Sequence, residues 1–158
     1  MNVNRKIWAL ATVAVLCTTI YAQDLFSPAH SAPKREVRGV WITTLGGLDW
    51  PKAKVSSPQG IERQKQELTA ILDQLQACHI NTIFLQTRVR GSVIYPSHIE
   101  PWDVALTGQY GKSPGYDPLA FAIEETHKRG MELHAWVVTI PCFKVAQARR
   151  IGKNSLAH

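Results

Sequence analysis

Thr82-Ile83-Phe84-Leu85-Gln86, then a polar and aromatic stretch from Arg88 to Tyr116, then Asp117-Pro118 and a helical stripe, then Glu132-Leu133-His134-Ala135-Trp136-Val137-Val138: this run decides the fold. The first segment is a short apolar run, as expected for a strand buried on both faces. Asp117-Pro118 joins an N-cap residue to a proline at the first helical position. Leu119, Ala122, Ile123 and Thr126 follow at helical spacing. Glu124 and Lys128 stand four apart in the favourable order. Lys128 and Arg129 suit the negative helix end, and Gly130 suits the C′ position. Glu132 to Val138 reads as a strand.

The same grammar extends upstream. Val37 to Thr44 reads as a strand. Ser57-Pro58 opens a helix, with Ser57 as N-cap, and Leu68, Ile71, Leu72 and Leu75 form one apolar stripe. The order is strand, helix, strand, helix, strand. Such alternation predicts an α/β fold with parallel strands and right-handed crossovers. A barrel of eight units and an open doubly wound sheet both fit. No glycine-rich phosphate loop joins a strand to a helix. Gly46-Gly47 runs into Leu48-Asp49-Trp50-Pro51, and Gly108, Gly111 and Gly115 lie within a loop. Nucleotide binding is therefore disfavoured.

The ends carry a separate message. Arg5 and Lys6 precede an almost unbroken apolar run from Ile7 to Ile20, and Ala22 is a small residue before a cut. This predicts a cleaved signal peptide over 1–22, and secretion or periplasmic residence. The run is short for a membrane span, which needs about 20 residues, so no stable span is expected after cleavage. Pro28 and Pro33 mark 23–35 as a flexible lead-in to a domain over 36–158. Cys17 leaves with the signal. Cys78 and Cys142 are not expected to pair, because a parallel barrel places them at opposite ends. The formal charge of +6 owes much to Lys144, Arg149, Arg150 and Lys153 in the tail. With no basic stripe on a recognisable module, no nucleic-acid partner is expected.

Several motifs stand in order along the chain: Glu36-Val-Arg-Gly-Val-Trp-Ile-Thr-Thr44, Asp49-Trp50-Pro51, Gln64-Lys65, Gln86-Thr-Arg-Val-Arg-Gly91, Tyr95-Pro-Ser97, Ile99-Glu-Pro-Trp102, Leu106-Thr-Gly108, Pro114-Gly-Tyr-Asp-Pro118 and Gly130-Met-Glu-Leu-His-Ala-Trp136. With these motifs the chain resembles the glycosyl hydrolase-like 10 family of secreted bacterial (β/α)8-barrel proteins, from about Arg35 to Pro141. The resemblance implies the N-terminal βαβαβ portion of a TIM barrel and action on cell-wall or related polysaccharide. No cofactor is expected, and no metal either, because no second His or Cys stands at ligand spacing to His134. A barrel of this kind typically has about 250 residues, and relatives are expected to carry an Asp-rich motif on a later strand. The sequence thus reads as a barrel truncated after its third strand, without the expected catalytic acid. Two alternatives are a non-catalytic glycan-binding module and a non-functional truncated product.

Barrel active sites lie at the carboxyl ends of the strands. Alternation points His134 and Trp136 the same way, with Trp136 nearer the mouth. Sugars want aromatic faces beside a few placed polar groups. Arg88, Arg90, Tyr95, Trp102, His134 and Trp136 are the candidate substrate-binding residues. Arg88 could instead anchor the loop through Glu100 or Asp103. Trp136 could serve as core, Trp41 reads as core, and Trp50 could be a lid or loop packing. Tyr110 and Tyr116 read as loop-ordering residues. Glycoside hydrolysis needs two carboxyls. Asp49, Glu100, Asp103 and Asp117 are the loop carboxylates available, Asp117 being better explained as a cap. No catalytic pair is evident.

Overall fold

A computed structural model describes residues 36–140. The signal peptide, the lead-in, Cys142 and the segment after Pro141 lie outside the described residues. Strand β1 spans Gly39–Ile42, helix α1 Pro58–Ala77, strand β2 Thr82–Val89 and strand β3 Ser92–Val93. A short helix α2 covers Val104–Thr107, helix α3 Pro118–Lys128 and strand β4 Glu132–Val137. The fold is α/β with a mixed four-stranded sheet. Strand β2 is central and pairs in parallel with both β1 and β4. Strand β3 pairs antiparallel with the far end of β2, Arg88 opposite Val93 and Val89 opposite Ser92.

The expected parallel order holds, with two differences. Strand β1 is shorter than Val37–Thr44, because the chain turns into a 3-10 helix at Leu45–Gly47 with Gly46 and Gly47 at positive φ. The stretch after Arg88 is also more regular than a structureless loop. Arg90 and Gly91, at φ 53° and 72°, make the two-residue hairpin turn that folds β3 back on β2. Asp103 then caps α2, its carboxylate accepting from Ala105 N at 2.7 Å.

Helices α1 and α3 cover one face of the sheet. Leu68 and Leu72 of α1 and Ala122 of α3 meet Ile42, Ile83 and Leu85 from the strands, with Trp50, Ile94, Leu106 and Met131 completing the buried cluster. Ile71 and Leu75 are only partly buried against it, so the stripe is right and its burial is graded. The two helix starts differ. Asp117 accepts from Leu119 N and Ala120 N, both at 3.0 Å. Ser57 occupies the N-cap with no side-chain cap bond. Its carbonyl takes the Gly60 N–H at 2.9 Å, and Pro58 has no N–H to satisfy. Gly60 itself is required by close packing: a Cβ there would stand 3.0 Å from Lys54 O and 3.1 Å from Val55 Cα. Arg129 and Gly130 end α3 as expected, Gly130 at φ 69°. The Lys128–Glu124 ion pair closes at 2.7 Å.

Candidate functional site

The face of the sheet away from the helices holds the candidate site. Period-two alternation and the register put Gly39 and Trp41 of β1, Thr82, Phe84 and Gln86 of β2, and Glu132, His134 and Trp136 of β4 on it. Trp41 stacks on Phe84 with centroids 4.7 Å apart and planes at 18°. It meets Trp136 edge-on at 5.0 Å. Phe84 in turn contacts His134 at 5.4 Å. Gly39 makes the arrangement possible: a Cβ there would come within 2.7 Å of Phe84 Cε2. Trp41 is not core, as its sequence context suggested. It is 58% exposed, because the helices lie behind Val40 and Ile42 rather than in front of it.

At the carboxyl edge this aromatic surface meets polar groups. Gln86 Oε1 accepts from Thr43 Oγ1 at 2.6 Å, Thr44 N at 3.0 Å and Leu45 N at 3.1 Å. Thr44 Oγ1 donates to Gln86 O at 3.1 Å. Asp49 reaches back to accept from Thr43 N at 2.8 Å. The turn after β1 is thus tied to the end of β2. A register shift between Gln86 and Arg88 against β4 follows immediately. Such bulges re-aim side chains at sheet ends.

The candidate residues fall into separate places. His134 and Trp136 share the free face, as alternation predicts, and His134 Nε2 lies 3.2 Å from Glu132 Oε2. Arg88 takes its loop-anchoring alternative. Its Nε donates to Glu100 at 2.8 and 2.9 Å, and Nη2 pairs with Glu100 at 2.5 Å. Its Nη1 donates to Val138 O and, at 3.3 Å, to Thr139 O. Arg88 therefore pins the loop to the end of β4. Arg90 sits in the hairpin turn. Tyr95 is half-buried in the loop after β3. Trp102 packs on the helix-side core, and its backbone bridges to Val93. The structure does not bring Trp102 together with Trp136. Trp41 reads as core from sequence, and neither it nor Phe84 nor Gln86 is among the sequence's candidate substrate-binding residues. Their shared parity with Trp136 across the parallel register is the signal that links them.

Trp50 resolves to packing: it is fully buried, and its Nε1 donates to Gln64 O at 2.8 Å. Tyr116 orders the loop, its hydroxyl donating to Gln64 Oε1 at 2.9 Å. Burial pushes its phenol well above the usual range, helped by the charges of Glu67 and Glu62. A surface hollow of about 620 Å3 lies between Tyr116 and the first turns of α1. Its tyrosine hydroxyl is already committed to Gln64.

Three of the four loop carboxylates have structural duties. Glu100 holds Arg88 and Asp117 caps α3. Asp103 caps α2 and bonds to the buried Ser92 hydroxyl, which also donates to Val89 O at 2.8 Å. Burial raises the Asp103 carboxyl above its usual value, against the pull of Ser92, Ala105 N, Lys54 and Arg90. Asp49 is exposed and accepts a single backbone N–H.

The family model described as glycosyl hydrolase-like 10 matches residues 36–154. Glycosyl hydrolase DigH of Escherichia coli K12 is 39% identical over 140 residues, covering 81% of this chain and 32% of that protein. Glycosyl hydrolase YngK of Bacillus subtilis is 46% identical over 108 residues, covering 68% of this chain and 21% of that protein. The chain thus spans a third or less of the length of these curated relatives. Since the family match covers most of its residues, the chain belongs to the glycosyl hydrolase-like 10 family.

Proposed function

We propose that the free sheet face is a glycan-binding wall of a secreted or periplasmic glycoside hydrolase-like protein acting on bacterial cell-wall or related polysaccharide. Strands β1, β2 and β4 are then the opening arc of a (β/α)8 barrel, and this face is turned to its interior. The observation that carries the reading is the Trp41–Phe84–Trp136 surface on parallel strands, with Gln86 and Thr43 at its carboxyl edge. Sugar rings stack an apolar face on aromatic surface while their hydroxyls take polar partners. The names of DigH and YngK as glycosyl hydrolases support the substrate class.

Hydrolysis by this chain alone is not part of the proposal. Glu100, Asp103 and Asp117 are held in structural bonds, which favours binding without cleavage by the described residues. The apolar run over Ile7 to Ile20 supports export, and no helix among the described residues is long and apolar enough to cross a membrane. The test uses glycan strands from purified peptidoglycan, with the stem peptides removed. The chain should bind them with quenching of tryptophan fluorescence and should release no reducing ends. Absent binding would sink the reading, and robust cleavage would overturn its non-catalytic part.

A further inference from the structure

Two glutamines are buried among the described residues, and they are wired differently. Gln64 is fully satisfied: Oε1 accepts from Tyr116, while Nε2 donates to Ala53 O and Leu106 O, both at 2.7 Å. Gln86 is satisfied only on its oxygen. Three close donors, the Thr43 hydroxyl and two backbone N–H groups, converge on Oε1, with the Thr44 hydroxyl a longer fourth contact at 3.5 Å. They fix the carboxamide in one sense, because a flip would set the NH2 group against two N–H donors. Nε2 has no hydrogen-bond partner among the described residues. Thr126 Oγ1 is the one fully buried side-chain polar atom left unpartnered among them, so the Gln86 amide nitrogen keeps contact with solvent although the residue is only 2% exposed.

Its surroundings say what it could meet. Gln86 pairs in register with Trp136 and lies two residues beyond Phe84 on the same face. Its anchor Thr43 lies two beyond Trp41. The amide therefore sits at the rim of the aromatic surface as a rigid donor with no accepting capacity left. A buried donor of this kind discriminates strongly, since a ligand without a matching acceptor leaves it unpaired.

We propose that Gln86 is a specificity-determining residue whose Nε2 donates to an uncharged acceptor oxygen, a hydroxyl or an acetamido carbonyl, of the sugar seated against Trp136. The proposal rests on the glycan reading of this face. The Gln86→Glu variant keeps an oxygen for the three converging donors and replaces the donor with a second acceptor. Trp136→Ala removes the stacking surface and leaves the amide.

The experiment titrates the full wild-type chain, Q86E and W136A with chitohexaose, following tryptophan fluorescence, with melting temperatures measured alongside. The expected result is binding by the wild type, a loss of about tenfold or more in Q86E at unchanged melting temperature, and a larger loss in W136A. Equal affinity of wild type and Q86E, with W136A impaired, overturns the Gln86 role and leaves the glycan reading standing. No binding by the wild type, or full binding by W136A, overturns both. One measurement needs no variant: the Gln86 side-chain amide protons should shift on saturation, and unmoved resonances overturn the proposal. Repeating the titration with cellohexaose, which lacks acetamido groups, names the acceptor. A retained gap between wild type and Q86E assigns a hydroxyl, a vanished one the carbonyl, and the proposal stands on either.

Discussion

The two faces of one sheet use the same kinds of residue to opposite ends. Behind the strands, Trp50 is fully buried with its indole N–H bonded, and Gln64 spends every polar atom on neighbouring backbone and Tyr116. In front of them, Trp41 is 58% exposed and Gln86 leaves its amide nitrogen unspent. Tryptophan and glutamine are structural where helices cover them and available where none does. Composition alone does not separate the roles. The partner of each polar atom does.

The largest predicted effect falls on the loop anchor. Removing one partner of a largely buried ion pair leaves the other charge uncompensated, at a cost of roughly 3–5 kcal/mol. Glu100→Ala should destabilise the chain by about that much in urea unfolding, and Glu100→Gln by less. A change near zero would mean that the Arg88–Glu100 pair does not hold the loop.

On the helix side, Gln64→Leu leaves Ala53 O and the Tyr116 hydroxyl without their partner, and Leu106 O with the Val55 N–H alone. A loss on the order of 3 kcal/mol is expected from such orphaned groups, with no specific loss of glycan affinity once folding is restored at low temperature. Gln86→Glu should show the reverse pattern, with stability kept and affinity lost. If both variants behave alike, the contrast between the two glutamines is void.

Smaller effects sharpen the picture of the free face. Trp136→Ala gives up one edge-on aromatic contact at a half-buried site, worth about 1 kcal/mol, and should leave the fold intact by circular dichroism. Gly39→Ala should displace the Phe84 ring and alter near-ultraviolet ellipticity while the helical signal persists.

The smallest expected effect is a pH dependence at Asp103. Burial raises its carboxyl in the folded chain, so the folded state holds this proton to higher pH than the unfolded state does. Its contribution is complete below the ordinary carboxylate value and is lost as pH rises through the raised one. Asp103→Asn should flatten the corresponding slope of urea midpoint against pH. An unchanged slope would place the dependence on another group.

Much of the fold was legible because it rests on local chemistry. Proline at the first helical position, the Leu68–Leu72 spacing and Gly130 at the C′ position each act within a few residues, and each appears where the pattern puts it. Asp117 and Ser57 look equivalent on paper. They part because the Asp117 carboxylate collects two N–H groups while the Ser57 carbonyl satisfies Gly60 instead. The site was less legible, because burial depends on which face the helices choose. Trp41 lies between Val40 and Ile42, and nothing local says which side is covered. Arg88 ends a strand, and only the folded loop shows that Glu100 lies across from it. The hairpin at Arg90-Gly91 was missed for a related reason: an arginine at positive φ carries no turn signal of the kind Asn-Gly would.

The central claim is that ligand-facing aromatic surface lies on one side of the sheet and packing aromatics on the other. The direct measurement is the set of tryptophan indole N–H resonances during titration with peptidoglycan glycan strands. Trp41 and Trp136 should shift together while Trp50 and Trp102 stay in place. Shifts confined to Trp50 or Trp102, or no shift at saturating glycan, would contradict the account.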